Sequence, residues 1–274
     1  MDPKIVDANI LVHTKMAATY NKNEPHFKPE NQAVVRKHLE ALRAKTGPKL
    51  LDVGCGTGFV INLAKDLFGE IHGVDITQAM LDQVDKSGGN ITLHRSVAEK
   101  TPFADNTFDA ASAYSFIHHL TDYAEVLKEV HRVLKPGGAF YIDLDPNKLF
   151  WQAMAAAEKS AALDKPSDIV QREIASVMHT DDRVEEEWGI PAETFNLAEN
   201  YKDLQGGIDG AELRAAALKV GYKSCDVGYY WYLGQGSILH GQSAADAATV
   251  ESYLTRALPA SAPLFKYVRF LLVK

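Results

Sequence analysis

The sequence predicts a doubly wound α/β fold: a mostly parallel sheet of seven strands, helices on both faces, and a helical insertion late in the chain. Three observations carry this prediction. Apolar strand-like runs alternate with helix-like runs from residue 49 to residue 145. The first strand ends in a glycine-rich stretch, "LLDVGCGTGF" at residues 50–59, and an acid, Asp75, closes the next strand. The alternation breaks after Pro146 and resumes near residue 209.

The elements follow in order. Residues 1–48 read as a helical N-terminal cap. In "NQAVVRKHLEALRAK" (31–45), Val34, Val35, Leu39 and Leu42 share one helical face, Asn31 is the expected cap, and Gly47-Pro48 ends the helix. "KLLDV" reads as a buried strand and "FVINLAKDLF" as a helix. "EIHGVD" is a strand and "TQAMLDQVDK" a helix capped by Thr77. "NITLHRS" and "FDAASAY" are strands; "TDYAEVLKEVHRVLK" is a long helix capped by Thr121 or Asp122. "PGG" then turns the chain into the strand "AFYIDLD". Residues 147–208 hold helix-like stretches, no convincing strand, and too few strong apolar positions for a core of their own. "IDGAELRAAALKVGY" is a helix ending at Gly221, "KSCDVGYYWYL" a strand, "SAADAATVESYLTRAL" a helix and "LFKYVRFLLVK" the closing strand. The core therefore comprises residues 49–146 and 209–274, interrupted by the insertion at 147–208.

Composition narrows the function. The chain has 274 residues, with 29 Lys and Arg against 36 Asp and Glu, a net charge of −7. No basic cluster is dense enough to neutralise a nucleic-acid backbone, so no nucleic-acid partner is expected. Cys55 and Cys225 are the only cysteines, too few for a disulfide framework or a cysteine-rich metal site. No apolar run approaches the ~20 residues that span a bilayer, and Asp7, Asn9 and His13 interrupt the N-terminal apolar stretch. The expectation is a cytoplasmic protein with no membrane partner. The acidic run "DDRVEEEW" (181–188) reads as a solvated helix face. The oligomeric state is not legible.

Gly54, Gly56 and Gly58 follow a buried strand and open a helix, so a ligand can approach the backbone and meet free N–H groups at the helix start. In an open parallel sheet this turn lies at the carboxyl ends of the strands, where ligands bind. Asp75 stands where a carboxylate can accept both hydroxyls of a ribose. A dinucleotide fingerprint needs its third glycine three residues after the second, and Phe59 occupies that place. A Walker loop's Gly-Lys-Ser/Thr is absent.

"LLDVGCGTGF" resembles motif I of the class I S-adenosylmethionine-dependent methyltransferases. "GVDIT…ML" (73–81) resembles their acidic ribose loop, and "VAEKTPFADNTFDAASA" (97–113), "YSFIHHL" and "EVHRVLKPGGAFYI" resemble the segments that follow. The branch most similar holds the ubiquinone- and menaquinone-type methylases and many natural-product methyltransferases. The resemblance implies a Rossmann-like sheet with an antiparallel last strand. It also implies S-adenosylmethionine as cofactor, with S-adenosylhomocysteine as product, and a small organic acceptor of the kind methylated in secondary metabolism. Asp52 and the backbone from Gly54 through Cys55 and Gly56 to Gly58 would hold the methionine part of the cofactor. Asp75 would bind the ribose, Ile76 and Met80 would flank the adenine, and Val97 and Ala98 would meet its edge by their backbone. The Ser115 carbonyl would lie near the amino group. Val97 departs from the Asp frequent there, leaving the adenine amino group to backbone, water or Glu99.

Methyl transfer from a sulfonium is an in-line displacement, so positioning and exclusion of water supply much of the catalysis. The resemblance implies that the N-terminal segment, with Tyr20 where related enzymes have a Tyr that caps the cofactor, and the insertion, which covers the acceptor pocket in the family, form the lid. A base is needed where the acceptor arrives protonated. His118 and His119 follow the fourth strand, where an imidazole serves as base or simply as part of the approach to the next helix. No carboxylate cluster near the pair is expected, although Asp143 and Asp145 lie across the sheet end, and no metal is expected. In "GYYWYL" (228–233), alternation pairs Tyr229 with Trp231 and Tyr230 with Tyr232. One face either packs as ordinary sheet or lines an acceptor pocket with Phe150, Trp151 and Trp188; His240 is a weaker candidate for substrate contact. Three other readings stay open: methylation of tRNA or protein, a cofactor-binding protein without methyl transfer, and an NAD-type oxidoreductase, which the glycine spacing disfavours.

Overall fold

The computed structural model describes residues 2–160, 166–177, 185–186 and 188–274. Two helices lead the chain, α1 (Pro3–Met16) and α2 (Pro29–Lys45), with short helical turns at Tyr20–Asn23 and Pro25–Phe27 between them. The core then alternates: β1 (Lys49–Val53), α3 (Phe59–Ala64), β2 (Glu70–Asp75), α4 (Gln78–Leu81), β3 (Ile91–Arg95), β4 (Phe108–Tyr114), α5 (Tyr123–Val133) and β5 (Leu134–Pro146). The insertion supplies α6 (Lys148–Ser160), α7 (Asp168–Val177) and α8 (Ala192–Ala198), followed by a π-helical turn at Asn200–Leu204. α9 (Gly210–Val220), β6 (Ser224–Tyr232), α10 (Gln235–Gly241), α11 (Ala244–Arg256) and β7 (Phe265–Val273) complete the chain.

The seven strands form one sheet in the order β3-β2-β1-β4-β5-β7-β6. β1 to β5 pair in parallel, and β7 runs antiparallel to both β5 and β6. The resemblance implied such an antiparallel strand at the end of the chain, and β7 is that strand.

Alternation along the central strands splits the core into two layers. Leu50, Ala110 and Tyr141 face α2 and α3, whose Val35, Leu39, Leu42, Val60, Ile61 and Ala64 pack on them. Leu51, Ala111 and Phe140 face the opposite layer, where Val126, Leu127 and Val130 of α5 meet Leu213 and Ala217 of α9. Every one of these side chains is buried, and their removal from water is the main stabilising term of the fold.

Several sequence expectations need correction. α2 starts at Pro29 with Lys28 as its cap, because proline suits the first helical position; the Asn31 amide instead donates to the Pro25 carbonyl at 2.8 Å. Val34 is 48% exposed, off the buried face of α2. α3 stops at Ala64, since the chain bends so that the Gly69 and Glu70 amides reach the Pro48 carbonyl. α4 is a single turn, and the Thr77 side chain makes no capping bond. Asp122, not Thr121, caps α5, accepting from the Ala124 amide at 2.8 Å. Residues 235–241, glycine-rich and without a predicted element, form α10. Trp231 takes a left-handed backbone (φ 59°), which breaks the simple alternation of the aromatic run.

The insertion leaves and rejoins the core at one place. Asn147 and Ile208 form a parallel bridge, and the Asn147 side chain donates to the carbonyls of Ala262 and Phe265 at 2.8 and 2.7 Å. Within it, Phe150 and Met154 pack together beneath Trp151. Ile190 and Ala198 pack instead against Ala8 and Val12 of α1, with Trp188 beside them. The expected solvated face at 181–188 lies largely outside the described residues; Glu185 and Glu186 are exposed.

Candidate active site

β1 lies where the strand order reverses: β2 and β3 follow on one side, β4 and β5 on the other. The turns after β1 and β4 therefore diverge and leave a crevice at the carboxyl ends of the strands. The cleft there encloses about 960 Å³, counting its open mouth.

The turn after β1 forms its floor. Gly54, Gly56 and Gly58 all have left-handed backbone (φ 66°, 51° and 85°). An added Cβ at Gly54 would overlap the Phe116 ring, so glycine is needed here for both conformation and space. The Cys55 amide donates to the Val74 carbonyl at 3.0 Å and holds the turn against β2. The Asp75 carboxylate then accepts the Gly56 amide at 2.9 Å through Oδ2 and the Thr77 amide at 2.8 Å through Oδ1. Each oxygen keeps a further lone pair for a ligand. Burial raises the Asp75 carboxyl above its ordinary value.

Asp52 lies buried behind the turn, with the Ser112 hydroxyl donating to it at 2.7 Å. Burial pushes its carboxyl up to about 7. Ile76, Met80, Ala98 and Glu99 line the cleft on the β2 and β3 side. Burial also raises Glu99. On the β4 side stand Tyr114, Ser115 (φ 50°), Phe116 and His119.

The roof comes from the N-terminal segment. α1 presents Ile5, Val6, Asn9 and His13, and Tyr20 follows. The Thr57 hydroxyl donates to Asn21 Oδ1 at 2.5 Å, joining roof to floor. Burial and the Glu24 carboxylate hold the Tyr20 phenol well above its ordinary value, so it stays neutral.

Of the residues expected at the site, Asp52, Gly54, Cys55, Gly56, Asp75, Ile76, Met80, Ala98, Glu99, Ser115, Tyr20 and His119 line this one cleft. Gly58, Val97 and His118 do not. Gly58 leads α3 with its Cα toward Val84. The Val97 carbonyl accepts from the Ser96 hydroxyl at 3.3 Å. His118 turns inward, its ring Nδ1 2.7 Å from Asp145 Oδ1, and burial lowers it to about 4. Tyr229, Tyr230, Trp231, Tyr232, Phe150, Trp151, Trp188 and His240 are not part of the lining. Tyr230 instead packs under the Arg269 guanidinium, 4.4 Å from its ring centre.

Besides Asp145, a carboxylate that the sequence did not point to stands beside the histidine pair. Glu199, at the end of α8, places Oε1 3.5 Å from His119 Nδ1 and Oε2 3.7 Å from His118 Nε2. Burial alone would raise its carboxyl, but Lys202, 3.1 Å away, holds it well below the usual range. Among the described residues these three side chains come nearest to a metal-binding group, with donor atoms within 4.8 Å of one another. Each Nδ1 already has a protein acceptor, Asp145 for His118 and the Ala198 carbonyl for His119. Sequence could not point to Glu199, which lies 80 positions from His119. The amphipathic spacing of Ile5, Asn9 and His13 was the available signal for the roof helix.

Comparison with known proteins fits this geometry. Residues 51–142 match the methyltransferase-domain family. The chain is 43% identical over 108 residues to the demethylmenaquinone methyltransferase of Chlorobaculum parvum, covering 39% of this chain and 44% of that protein. It is 36% identical over 137 residues to that of Staphylococcus haemolyticus, covering 46% and 57%. The chain thus spans about half the length of these curated relatives. Among solved structures, the YcgJ protein of Bacillus subtilis matches with a TM-score of 0.54 at 18% identity, over 90% of this chain and 99% of that one. Phosphoethanolamine N-methyltransferase 2 of Haemonchus contortus, solved with phosphomonomethylethanolamine and S-adenosylhomocysteine, matches with a TM-score of 0.55 at 18% identity, over 98% and 59%. At these identities the likeness is one of fold. Among the described residues no helix is long and apolar enough to cross a membrane.

Proposed function

We propose that this chain, whose residues 51–142 match a methyltransferase-domain family, is a class I S-adenosylmethionine-dependent methyltransferase that methylates a small organic molecule bearing a protic O, N or C acceptor. The observation that carries the reading is the convergence of the glycine turn and the Asp75 carboxylate on one roofed cleft.

The residues present fit S-adenosylmethionine. Asp75 offers two oxygens with spare lone pairs to a ribose diol. The apolar Ile76, Met80 and Ala98 suit a purine face, and Glu99 is the nearby acceptor for its amino group. Asp52, the open backbone of Gly54 to Gly56 and the Ser115 carbonyl suit a charged amino-acid end. Bound there, the cofactor would supply an activated methyl, whose transfer to the acceptor's electron pair would leave the carbon–sulfur bonding pair on sulfur.

The chain's own residues do the rest. α1 and Tyr20, with the insertion packed behind α1, exclude water, which favours a reaction in which charge is lost. His119 is the histidine of the pair that lines the cleft, and it takes the proton of a protic acceptor. His118, turned toward Asp145, supports the turn from behind. A roofed cleft supports a small acceptor over a folded macromolecule. The relatives named for demethylmenaquinone methylation make reduced quinones and phenols the first acceptors to assay.

Calorimetry with S-adenosylmethionine, S-adenosylhomocysteine and NADH tests the donor, and S-adenosylhomocysteine release with a panel of phenols, quinols and amines tests transfer. Binding of the nicotinamide cofactor without S-adenosylmethionine would overturn the reading.

A further inference from the structure

Three consecutive residues of the insertion grip three consecutive residues of the turn after β4. The Ala198 carbonyl sits 2.8 Å from His119 Nδ1. The Glu199 carboxylate lies against His118 and His119. The Asn200 amide donates to the Leu120 carbonyl at 2.7 Å, in a buried contact. From the other side, Asn9 of α1 donates to the His119 carbonyl at 3.2 Å, and the His13 ring stands edge-on to the His119 ring at 4.9 Å.

A carbonyl can only accept, so the bond to Ala198 requires the proton on Nδ1. The tautomer is thereby fixed, with the lone pair on Nε2. Among the described residues no protein group bonds Nε2, and the ring lines the cleft. Burial and the neighbouring His118 hold this imidazole well below its ordinary value, so it is neutral and its Nε2 lone pair is free of any described protein partner. The cation it forms gains from a carboxylate near the opposite nitrogen.

We infer that Glu199 is a positioning residue of the candidate active site, and that docking of Ala198–Glu199–Asn200 makes His119 a competent base. The acceptor's proton passes to Nε2, and its electron pair stays on the acceptor atom as the nucleophile. The imidazolium carries Nδ1–H toward Ala198 and Glu199, then returns the extra proton to water when the insertion undocks. Because Ala198 also packs against Ala8 and Val12 of the roof helix α1, docking of the insertion couples the roof that excludes water to the base that activates the acceptor. This inference rests on the reading of the cleft as a methyltransferase site.

The groups that face the His119 ring are His13 from α1, His118 beside it and Glu199 from the insertion; Lys202 lies behind Glu199 and Asp145 behind His118. Nitrogen-15 NMR of the imidazoles in the full chain reads both tautomer and protonation, and calorimetry with S-adenosylmethionine runs alongside. Wild type is expected to show Nδ1–H and a bare Nε2 on His119. Glu199→Gln is expected to reduce the His119 imidazolium fraction at a fixed pH tenfold or more, and Lys202→Met to increase it, with cofactor affinity unchanged in both. Opposite signs from two neighbouring side chains are not produced by a merely structural role. The inference fails if His119 carries its proton on Nε2, or if neither variant moves the fraction. It also fails if the chain takes up one Zn²⁺ that Glu199→Gln abolishes, because the cluster is then a metal site. Failure of wild type to bind S-adenosylmethionine would instead sink the functional reading.

Discussion

The Gly56 amide donates to the Asp75 carboxylate at 2.9 Å, so the acid that ends β2 braces the glycine turn that ends β1. One residue thus shapes the floor of the cleft and presents lone pairs to whatever lies on it. Hydrogen bonds to a charged group contribute about 1.5–3 kcal/mol. Asp75→Ala is therefore expected to weaken S-adenosylmethionine binding tenfold or more by calorimetry. Asp75→Asn, which keeps one acceptor oxygen for the turn, should lose less. Unchanged affinity in both would remove Asp75 from the ribose.

Gly54 and Phe116 make a second testable contact. Alanine at 54 meets the Phe116 ring and must hold a φ of 66°. Left-handed backbone at a non-glycine residue costs about 1–3 kcal/mol, and the overlap adds to it. Gly54→Ala should lower the urea midpoint and abolish cofactor binding. Adding Phe116→Ala should recover part of the stability. Full stability in the single variant would mean that the turn is not held as described.

Asp52 gives a pH dependence with a definite sign. Its folded carboxyl titrates at about 7 because it is buried, above the unfolded value of ~3.9. The folded state therefore holds this proton more tightly. Its contribution to stability is full below about pH 4 and is lost as pH rises from there through about 7. Asp52→Asn keeps an acceptor for the Ser112 hydroxyl and removes the charge. It should stabilise the ligand-free protein by about 4 kcal/mol at pH 8 and by nothing near pH 4, while weakening cofactor binding. Urea melts at the two pH values check this. Equal gains at both would show that burial of the charge is not the cause.

The sequence was most informative where one residue type has one physical reason to be present. Glycines after a buried strand, with an acid closing the next strand, marked the floor of the cleft. The two-layer core followed from apolar runs buried on both faces of a parallel sheet. Sequence did less well where tertiary contacts decide. Val34 lies one position off a helical face, and only packing shows that Val35, Leu39 and Leu42 are buried without it. The aromatic run at 229–232 could be ordinary sheet packing or a pocket wall by sequence, and tertiary contacts decide for the first: Tyr230 is taken up by Arg269 and Trp231 leaves the strand geometry. Glu199 carried no signal, because a lone acid in a helical insertion reads as surface until the fold sets it against His118 and His119.

Asn200 offers the last test, of the insertion itself. Its buried amide donates to the Leu120 carbonyl, on the turn that carries His119. Truncating one partner of a buried hydrogen bond leaves the other unsatisfied, at a cost of about 1–3 kcal/mol. The loss falls on a segment whose described helices have little apolar packing beyond α1 and the Phe150 cluster, so local opening should absorb it before global unfolding does. Asn200→Ala is expected to speed amide hydrogen exchange across residues 192–204 at least tenfold and to leave β1 and β4 at wild-type protection. S-adenosylhomocysteine should restore part of the lost protection, since a ligand bound under the lid favours the docked state. If exchange instead rises equally in β1 and β4, residues 192–204 open only with the whole domain, and the insertion is core rather than lid.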